Sequence, residues 1–359
     1  DVVAITPSGD GLGDIAWLAG EIAGAGVVVG VGGGSVLDVV KLATAGPHAL
    51  DYLRAHARRS GLMRLPANLA SFSSSPRAFP RRVLVPTTVG TSSEVSLASC
   101  ALVDGARRGV LGSALPPDVA VLDPLATSSL PSTLLVEGVF EALLRVAGPY
   151  AGTTRPDRVA DRIAEATASA LIELGDRLTA AANGVADGAV DGAVDDEVRL
   201  DAARLSGYTQ VGWAMLGRDS YSAKAWFFAN ELAAVAGVRK VVATACLLPA
   251  LWRRMLAGDA RFGDGRRLTA LWSRIAGAGD PVDGLEFLLQ RWGIDRFVML
   301  DPAGVDGVGR VADRLLQLWG GRLPMLAGLT RDDITAVLAE SVTMRDRTPS
   351  AAGAGSGSS

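Results

Sequence analysis

The sequence predicts an α/β fold in which an N-terminal Rossmann-like domain with a parallel sheet is followed by an all-helical domain. Three observations carry this expectation. Short apolar, β-branched runs alternate with helical stretches over residues 1–125, the pattern of a parallel sheet covered by helices. Two of those runs end in clusters of glycine or of threonine and serine. Beyond Pro131 the texture changes to long helical periods with few strand signals. The predicted division is therefore 1–130 for a dinucleotide-binding α/β domain and 131–350 for a helical substrate domain, with the tail "AAGAGSGSS" at 351–359 read as a flexible linker outside the fold.

In chain order, "DVVAI" (1–5) is a predicted strand, "LGDIAWLAGEIAGAG" (12–26) an amphipathic helix and "VVVGV" (27–31) a continuous, buried apolar strand. "SVLDVVKLATA" (35–45) is a helix that starts at a glycine cluster, and "RRVLVPTT" (81–88) and "VAVLDP" (119–124) are strands that end at proline-containing turns. Helical periodicity follows over 132–147, 156–182, 197–216, 222–236, 241–257, 265–277 and 283–292. "RRLTALWSRIAGAG" and "RLLQLWGGRL" read as helices that pack Trp272 and Trp319 into the core. Between two helices, "NGVADGAVDGAVDDEV" is a small, acidic, glycine-punctuated segment. It lacks the EF-hand spacing and its terminal glutamate, so a solvated loop is expected there and not a calcium site.

With 359 residues, 49% hydrophobic and 20% charged, the chain has the profile of a soluble globular protein large enough for two cores. A net charge of -3 offers no footprint for nucleic acid, which demands clustered lysine and arginine in excess. Cys100 and Cys246 lie far apart without a CxxC spacing, so neither a disulfide framework nor a zinc knuckle is expected, and a reducing cytoplasm fits best. The apolar stretch "GAGVVVGVGGGSV" is too short and too glycine-broken to span a bilayer, and no signal peptide is visible.

"VVVGVGGGSVLDVVK" sets Gly32, Gly33 and Gly34 between a strand and a helix that starts near Ser35. A backbone without side chains can approach a ligand closely, and the free N–H groups and dipole of a helix start favour a phosphate. Taken alone, the segment is also compatible with a tight strand-to-helix turn. "VPTTVGTSSEVS" follows another strand and offers Thr87, Thr88, Thr91, Ser92 and Ser93 around Gly90; by itself it reads as a capped helix start or as a binding loop. Two such segments, each after a strand, point to one shared nucleotide site.

These segments, GGGSVLDVVK, PTTVGTSSEV and "LPPDVAVLDPLATSSLP", in this order and ahead of a helical domain, resemble the iron-containing (group III) alcohol dehydrogenase superfamily, which shares the dehydroquinate synthase-like fold. The resemblance extends to about position 255. It implies NAD or NADP as cofactor, with Gly33, Gly34, Ser35 and Asp38 along the diphosphate and Thr87, Thr88 and Thr91 lining ribose and phosphates. Ser92 stands where the family has glycine. The family also places an extra strand and helix, which help to seat the adenine end, ahead of the segment that opens here; the choice between NAD and NADP stays open.

In that family a helix after the LP motif supplies an Asp and, four residues on, a His, and two later helices supply two more His ligands to a divalent metal. The resemblance puts Glu141, Arg145, Asn230 and Lys240 at those positions, while the two histidines of the chain, His48 and His56, fall elsewhere. A guanidinium cannot become neutral to donate to a metal, and one carboxylate and one amide facing two cations do not hold a catalytic divalent ion. No metal is therefore expected. Either Glu141 and Arg145 form an ordinary i, i+4 ion pair in a degenerate pocket, or cations act where the metal was, Arg145 binding a substrate carboxylate bidentately, Lys240 polarising an oxygen and Glu141 relaying a proton. Tyr221, Lys224, Trp226 and Phe227 line the pocket or belong to core and surface.

The expected function is a metal-independent NAD(P)-dependent dehydrogenase acting on a secondary alcohol, or the matching ketone, of a small molecule or peptide that carries a carboxylate. Maleylacetate reductases are metal-free members of the superfamily, and a further resemblance is to daptide-type peptide dehydrogenases, which implies oxidative decarboxylation of a C-terminal threonine in natural-product biosynthesis. The rival is a catalytically degenerate scaffold or partner subunit of a biosynthetic complex. The chain is expected to act as a homo-oligomer or within such a complex.

Overall fold

The computed structural model describes residues 3–66, 80–155, 157–184, 194–300 and 307–344. The 351–359 tail and most of the acidic segment before Asp195 lie outside them. The chain folds as an α/β half followed by a helical half, with one apolar core in each.

The first half opens on α1 (Leu12–Glu21), β1 (Val27–Gly32), α2 (Gly34–Ala43) and α3 (Pro47–His56). The strand predicted at 1–5 is not formed over its described residues. Val3 is 77% exposed and no strand pairs with it; this end is tied down further on, by an isolated bridge from Gly11 to Leu102 and by the Asp10 carbonyl, which accepts from Leu102 N–H at 2.9 Å. β1 pairs in parallel with β3 (Arg81–Pro86), and β3 with β6 (Val119–Ala120), giving the parallel sheet the alternation predicted. Helix α2 packs on this sheet where Gly30 admits Val40 and Leu84. The other face of β1 is open among the described residues: Val27, Val29 and Val31 are each more than half exposed, so the strand alternates and is not buried throughout.

A second sheet joins β2 (Leu62–Arg64) to a hairpin of β4 (Ala98–Val103) and β5 (Ala106–Leu111), which the sequence reading did not include. Its signal was the Asp104–Gly105 dipeptide, both residues at positive φ (51° and 71°) as a tight hairpin turn demands. A short 3-10 turn, Pro124–Thr127, capped by Asp123, ends the half.

From α4 (Ser132–Gly152) onward the chain is helical: α5 (Arg158–Ala182), α6 (Asp196–Val211), α7 (Lys224–Ala236), α8 (Lys240–Leu256), α9 (Gly265–Ile275), α10 (Pro281–Arg291), α11 (Gly307–Leu318) and α12 (Arg331–Ser341). The one departure among the described residues is a parallel two-residue ladder of β7 (Met299–Leu300) and β8 (Thr343–Met344). Aspartates cap α5, α6, α9 and α10, each accepting backbone N–H bonds of the first turn. Trp272 and Trp319 are buried, at 3% and 0% exposure. Trp319 also joins the halves: its ring lies where a side chain on Gly61 would be, and Gly61 N–H donates to Leu318 O at 2.6 Å.

Candidate active site

β1 delivers Gly32 to the foot of α2, whose first-turn N–H groups receive no side-chain cap and stay available to an anion. The loop after β3 leans directly on this turn. A Cβ on Gly34 would lie 2.8 Å from the Thr91 hydroxyl and one on Gly33 3.3 Å from that of Thr88, while one on Gly32 would meet Val36 at 2.7 Å. The two segments read separately in the sequence thus form one cradle, in which Thr91 takes the space of a side chain at 34, Thr88 crowds that at 33 and Val36 fills that at 32. Ser35 stays exposed at its rim, and Arg107, which the sequence reading missed, reaches the Ser35 hydroxyl at 3.4 Å while pairing with Asp10 at 2.9 Å. These features fit a dinucleotide diphosphate.

Asp38 departs from expectation. It is 9% exposed, and its oxygens accept from the Ser93 hydroxyl at 2.5 Å and from Cys100 N–H at 2.9 Å, so it ties three segments together instead of lying along the diphosphate. Lys41 completes this knot. Its fully buried ammonium donates to the carbonyls of Ser93 (2.9 Å), Ser96 (3.3 Å) and Ala98 (2.5 Å), and sits 3.6 Å from Asp38. Burial pushes the Asp38 carboxyl up and the Lys41 ammonium down from their ordinary values, and the pair's mutual attraction works against both.

Helix α4 crosses the second loop backbone to backbone. Gly90, at φ 109°, lies so close that a Cβ on it would come within 2.6 Å of Gly138 Cα. Two turns further along α4, the Arg145 guanidinium ends beneath the same loop. Its Nη1 donates to the Ser92 and Thr209 hydroxyls, both at 2.9 Å, and its Nη2 to the Gly90 carbonyl. The carboxylate of Glu141 is farther off, at 4.0 Å. The bidentate grip on a substrate carboxylate expected of Arg145 is not what the geometry offers, because both terminal nitrogens serve the protein's own oxygens. Ser92 takes a positive φ of 54°, in the region that favours glycine, and its hydroxyl also meets that of Ser206 at 2.7 Å.

Lys240, the first residue of α8, donates to Glu141 at 3.1 Å and lies 4.9 Å from the centre of the Trp226 ring. Burial would raise the Glu141 carboxyl, but Lys240 and Arg145 outweigh it and hold the group below its ordinary value. Glu94, 3% exposed at the back of the loop, is instead pushed up by burial. Asn230 is 8% exposed in α7, and no hydrogen bond joins it to Glu141, Arg145 or Lys240. Of the aromatic candidates only Trp226 adjoins the charged group; Phe227 stacks on Trp319, and Lys224 donates to Met325 O at 2.6 Å. A divalent metal does not fit this donor set, whose one carboxylate is claimed by an ammonium and faces a guanidinium. Among the described residues no group of three or more His, Cys, Asp or Glu is placed to hold one.

Comparison with known proteins agrees with the architecture. The model of the iron-containing alcohol dehydrogenase family matches residues 10–124, which hold both loops. Long-chain-alcohol dehydrogenase 1 of Geobacillus thermodenitrificans (strain NG80-2) is 31% identical over 128 residues, 34% of this chain and 29% of that protein. The mitochondrial hydroxyacid-oxoacid transhydrogenase of Xenopus tropicalis is 30% identical over 124 residues, 32% of this chain and 24% of that protein. Both matches therefore span less than a third of the relative's length. In three dimensions the likeness runs through both halves: the NADH-dependent butanol dehydrogenase A of Thermotoga maritima superposes with a TM-score of 0.72 over 95% of this chain and 83% of its own, at 18% identity. Residues 10–124, with both loops, thus match the iron-containing alcohol dehydrogenase family, and the chain as a whole shares the fold of the Thermotoga maritima enzyme.

Proposed function

We propose that the protein is an NAD(P)-dependent oxidoreductase that interconverts a secondary alcohol and a ketone on a carboxylate-bearing substrate, and does so without a divalent metal. The observation that carries this is the 3.1 Å Lys240–Glu141 pair, beside Arg145, at the positions where the family has metal ligands. The bound cofactor supplies hydride acceptance and donation. Glu141 holds the Lys240 ammonium in place, and the ammonium meets the substrate oxygen and stabilises the negative charge that grows there as hydride leaves. The hydroxyl proton goes to the ionised Glu141 carboxylate and from there to water, which reaches this partly exposed side chain, while Lys240 stays an ammonium.

Charge favours an anionic substrate. Two cations, Arg145 and Lys240, adjoin the single carboxylate of Glu141, so the three-residue group has one positive charge in excess. A relative whose name specifies hydroxyacids supports the same substrate class. With Arg145 engaged, the carboxylate is attracted by the cluster's charge and not by a bidentate fork. If the alcohol lies β to that carboxylate, hydride loss gives a β-keto acid that releases carbon dioxide and leaves a ketone. A peptide ending in threonine is one such substrate, the finest form of the proposal.

The test is a fluorescence titration of chelator-treated protein with NADH and NADPH, with Gly33→Val as control, followed by assay against β-hydroxy acids and threonine-ended peptides. Saturable binding lost in the control, with turnover that needs no added metal, is expected. Turnover that appears only on addition of iron or zinc would overturn the metal-free reading. A folded protein that binds neither cofactor would leave the scaffold role in its place.

A further inference from the structure

We propose that Arg145 is a positioning residue of the cofactor site, a clamp by which the helical half fixes the Gly90–Ser92 loop against the glycine turn. The inference rests on the cofactor reading above and goes beyond it in giving Arg145 a task that neither metal binding nor substrate binding requires. A guanidinium presents its donors in a rigid, planar fork. Here three of those donors go to neutral oxygens, two of them in the loop (Gly90 O and Ser92 Oγ) and the third on α6 (Thr209 Oγ1). That is a cross-link between two elements and not a poised anion receptor.

The partners interlock. The Gly90 N–H donates to the Ser206 hydroxyl at 3.1 Å, the Ser206 and Ser92 hydroxyls are 2.7 Å apart, and the Thr209 hydroxyl donates to Ser206 O at 2.7 Å. Arg145 can only donate, so Ser92 Oγ accepts from it. Serine at φ 54° is costlier than glycine, and the lost freedom is offset only if its hydroxyl is used. The serine at 92 and the arginine at 145 thus explain each other, although 53 positions separate them.

Thr91 lies between the two clamped residues and packs on Gly34, so a shift of the clamp moves the wall of the diphosphate cradle. Lys240 donates to none of these loop and α6 oxygens; it pairs with Glu141 at 3.1 Å, the carboxylate that lies 4.0 Å from Arg145, and sits over Trp226. The two cations accordingly have separable tasks, one at the cofactor loop and one at the reacting oxygen.

The experiment compares wild type, Arg145→Lys, Arg145→Ala, Ser92→Gly, the Ser92→Gly/Arg145→Ala double variant and Lys240→Met by two readouts: NADH affinity from fluorescence, and hydrogen exchange of the 87–96 segment in the cofactor-free protein. Loss of charge-assisted bonds weakens NADH binding on the order of tenfold in both Arg145 variants and speeds exchange of the segment. Lysine, which lacks the fork, does not rescue. Ser92→Gly adds nothing once Arg145 is gone, and Lys240→Met leaves both readouts unchanged. Unchanged exchange and affinity in Arg145→Lys, or additive losses in the double variant, would overturn the clamp. Should the wild type bind no NADH, the cofactor reading falls, and exchange alone then decides whether the clamp exists. Arg145→Lys and Ser92→Gly keep the comparison open if Arg145→Ala does not fold.

Discussion

Lys240 and Glu141 form the pair on which the proposed chemistry turns, and their substitution separates chemistry from binding. Lys240→Met is expected to lower kcat by about 100-fold to 1000-fold, the cost of removing a preorganised donor from a developing oxyanion, with NADH affinity unchanged. Equal losses in both quantities would move Lys240 out of the catalytic role. Glu141 adds a pH signature. Its folded value lies below the ordinary carboxylate value of 4.5, so its contribution to stability is present above that value and is lost as pH falls through the lower folded one. Denaturant titrations of wild type and Glu141→Gln should differ near neutrality and converge in acid. The two cysteines make the opposite case: burial pushes Cys100 up to about 12 and Cys246 up to about 11, so at pH 8 neither is a thiolate. A thiol reagent should modify neither in the folded protein and both in denaturant.

At the level of elements, the site depends on where α4 meets the second loop. Gly90 combines a φ of 109° with contact against Gly138, so Gly90→Ala strains the backbone and separates the pair. A loss of about 1–3 kcal/mol is expected, together with weakened NADH binding, read by denaturant midpoint and fluorescence. Asp157→Ala is its control in kind. It removes the cap that accepts Val159 and Ala160 N–H at 2.9 Å and should cost about 1 kcal/mol with cofactor affinity intact. Local patterns made some elements legible and hid others. The glycine turn and the start of α2 could be read because composition and conformation are fixed within a few residues. The hairpin of β4 and β5 went unread because its only marks are Asp104 and Gly105, while the pairing that makes it a sheet is with β2, some 45 residues away.

Across the whole molecule, the two cores must stay in register for the cradle and the charged pair to face one site. Trp319 is the seam: its indole N–H donates to the buried Glu231 at 2.9 Å, its ring stacks on Phe227, and Gly61 of the first half packs against it. Trp319→Ala should cost about 3–5 kcal/mol, measured by chemical denaturation, and should leave Glu231 held by Arg314 alone, at its other oxygen. The sequence by itself determined the order of the layers, the parallel sheet and the strand-to-helix turn at Gly32 to Gly34, because each is a matter of residue type or short-range spacing. What it did not hold was the partner of each charge. Asp38 turned into a buried knot with Lys41, Arg145 turned to the loop and not to a substrate, and Lys240 chose Glu141 and Trp226. Those choices follow from which helices cross which loops, and at close range a charge takes the nearest oxygen that packing brings to it, wherever in the chain that oxygen lies.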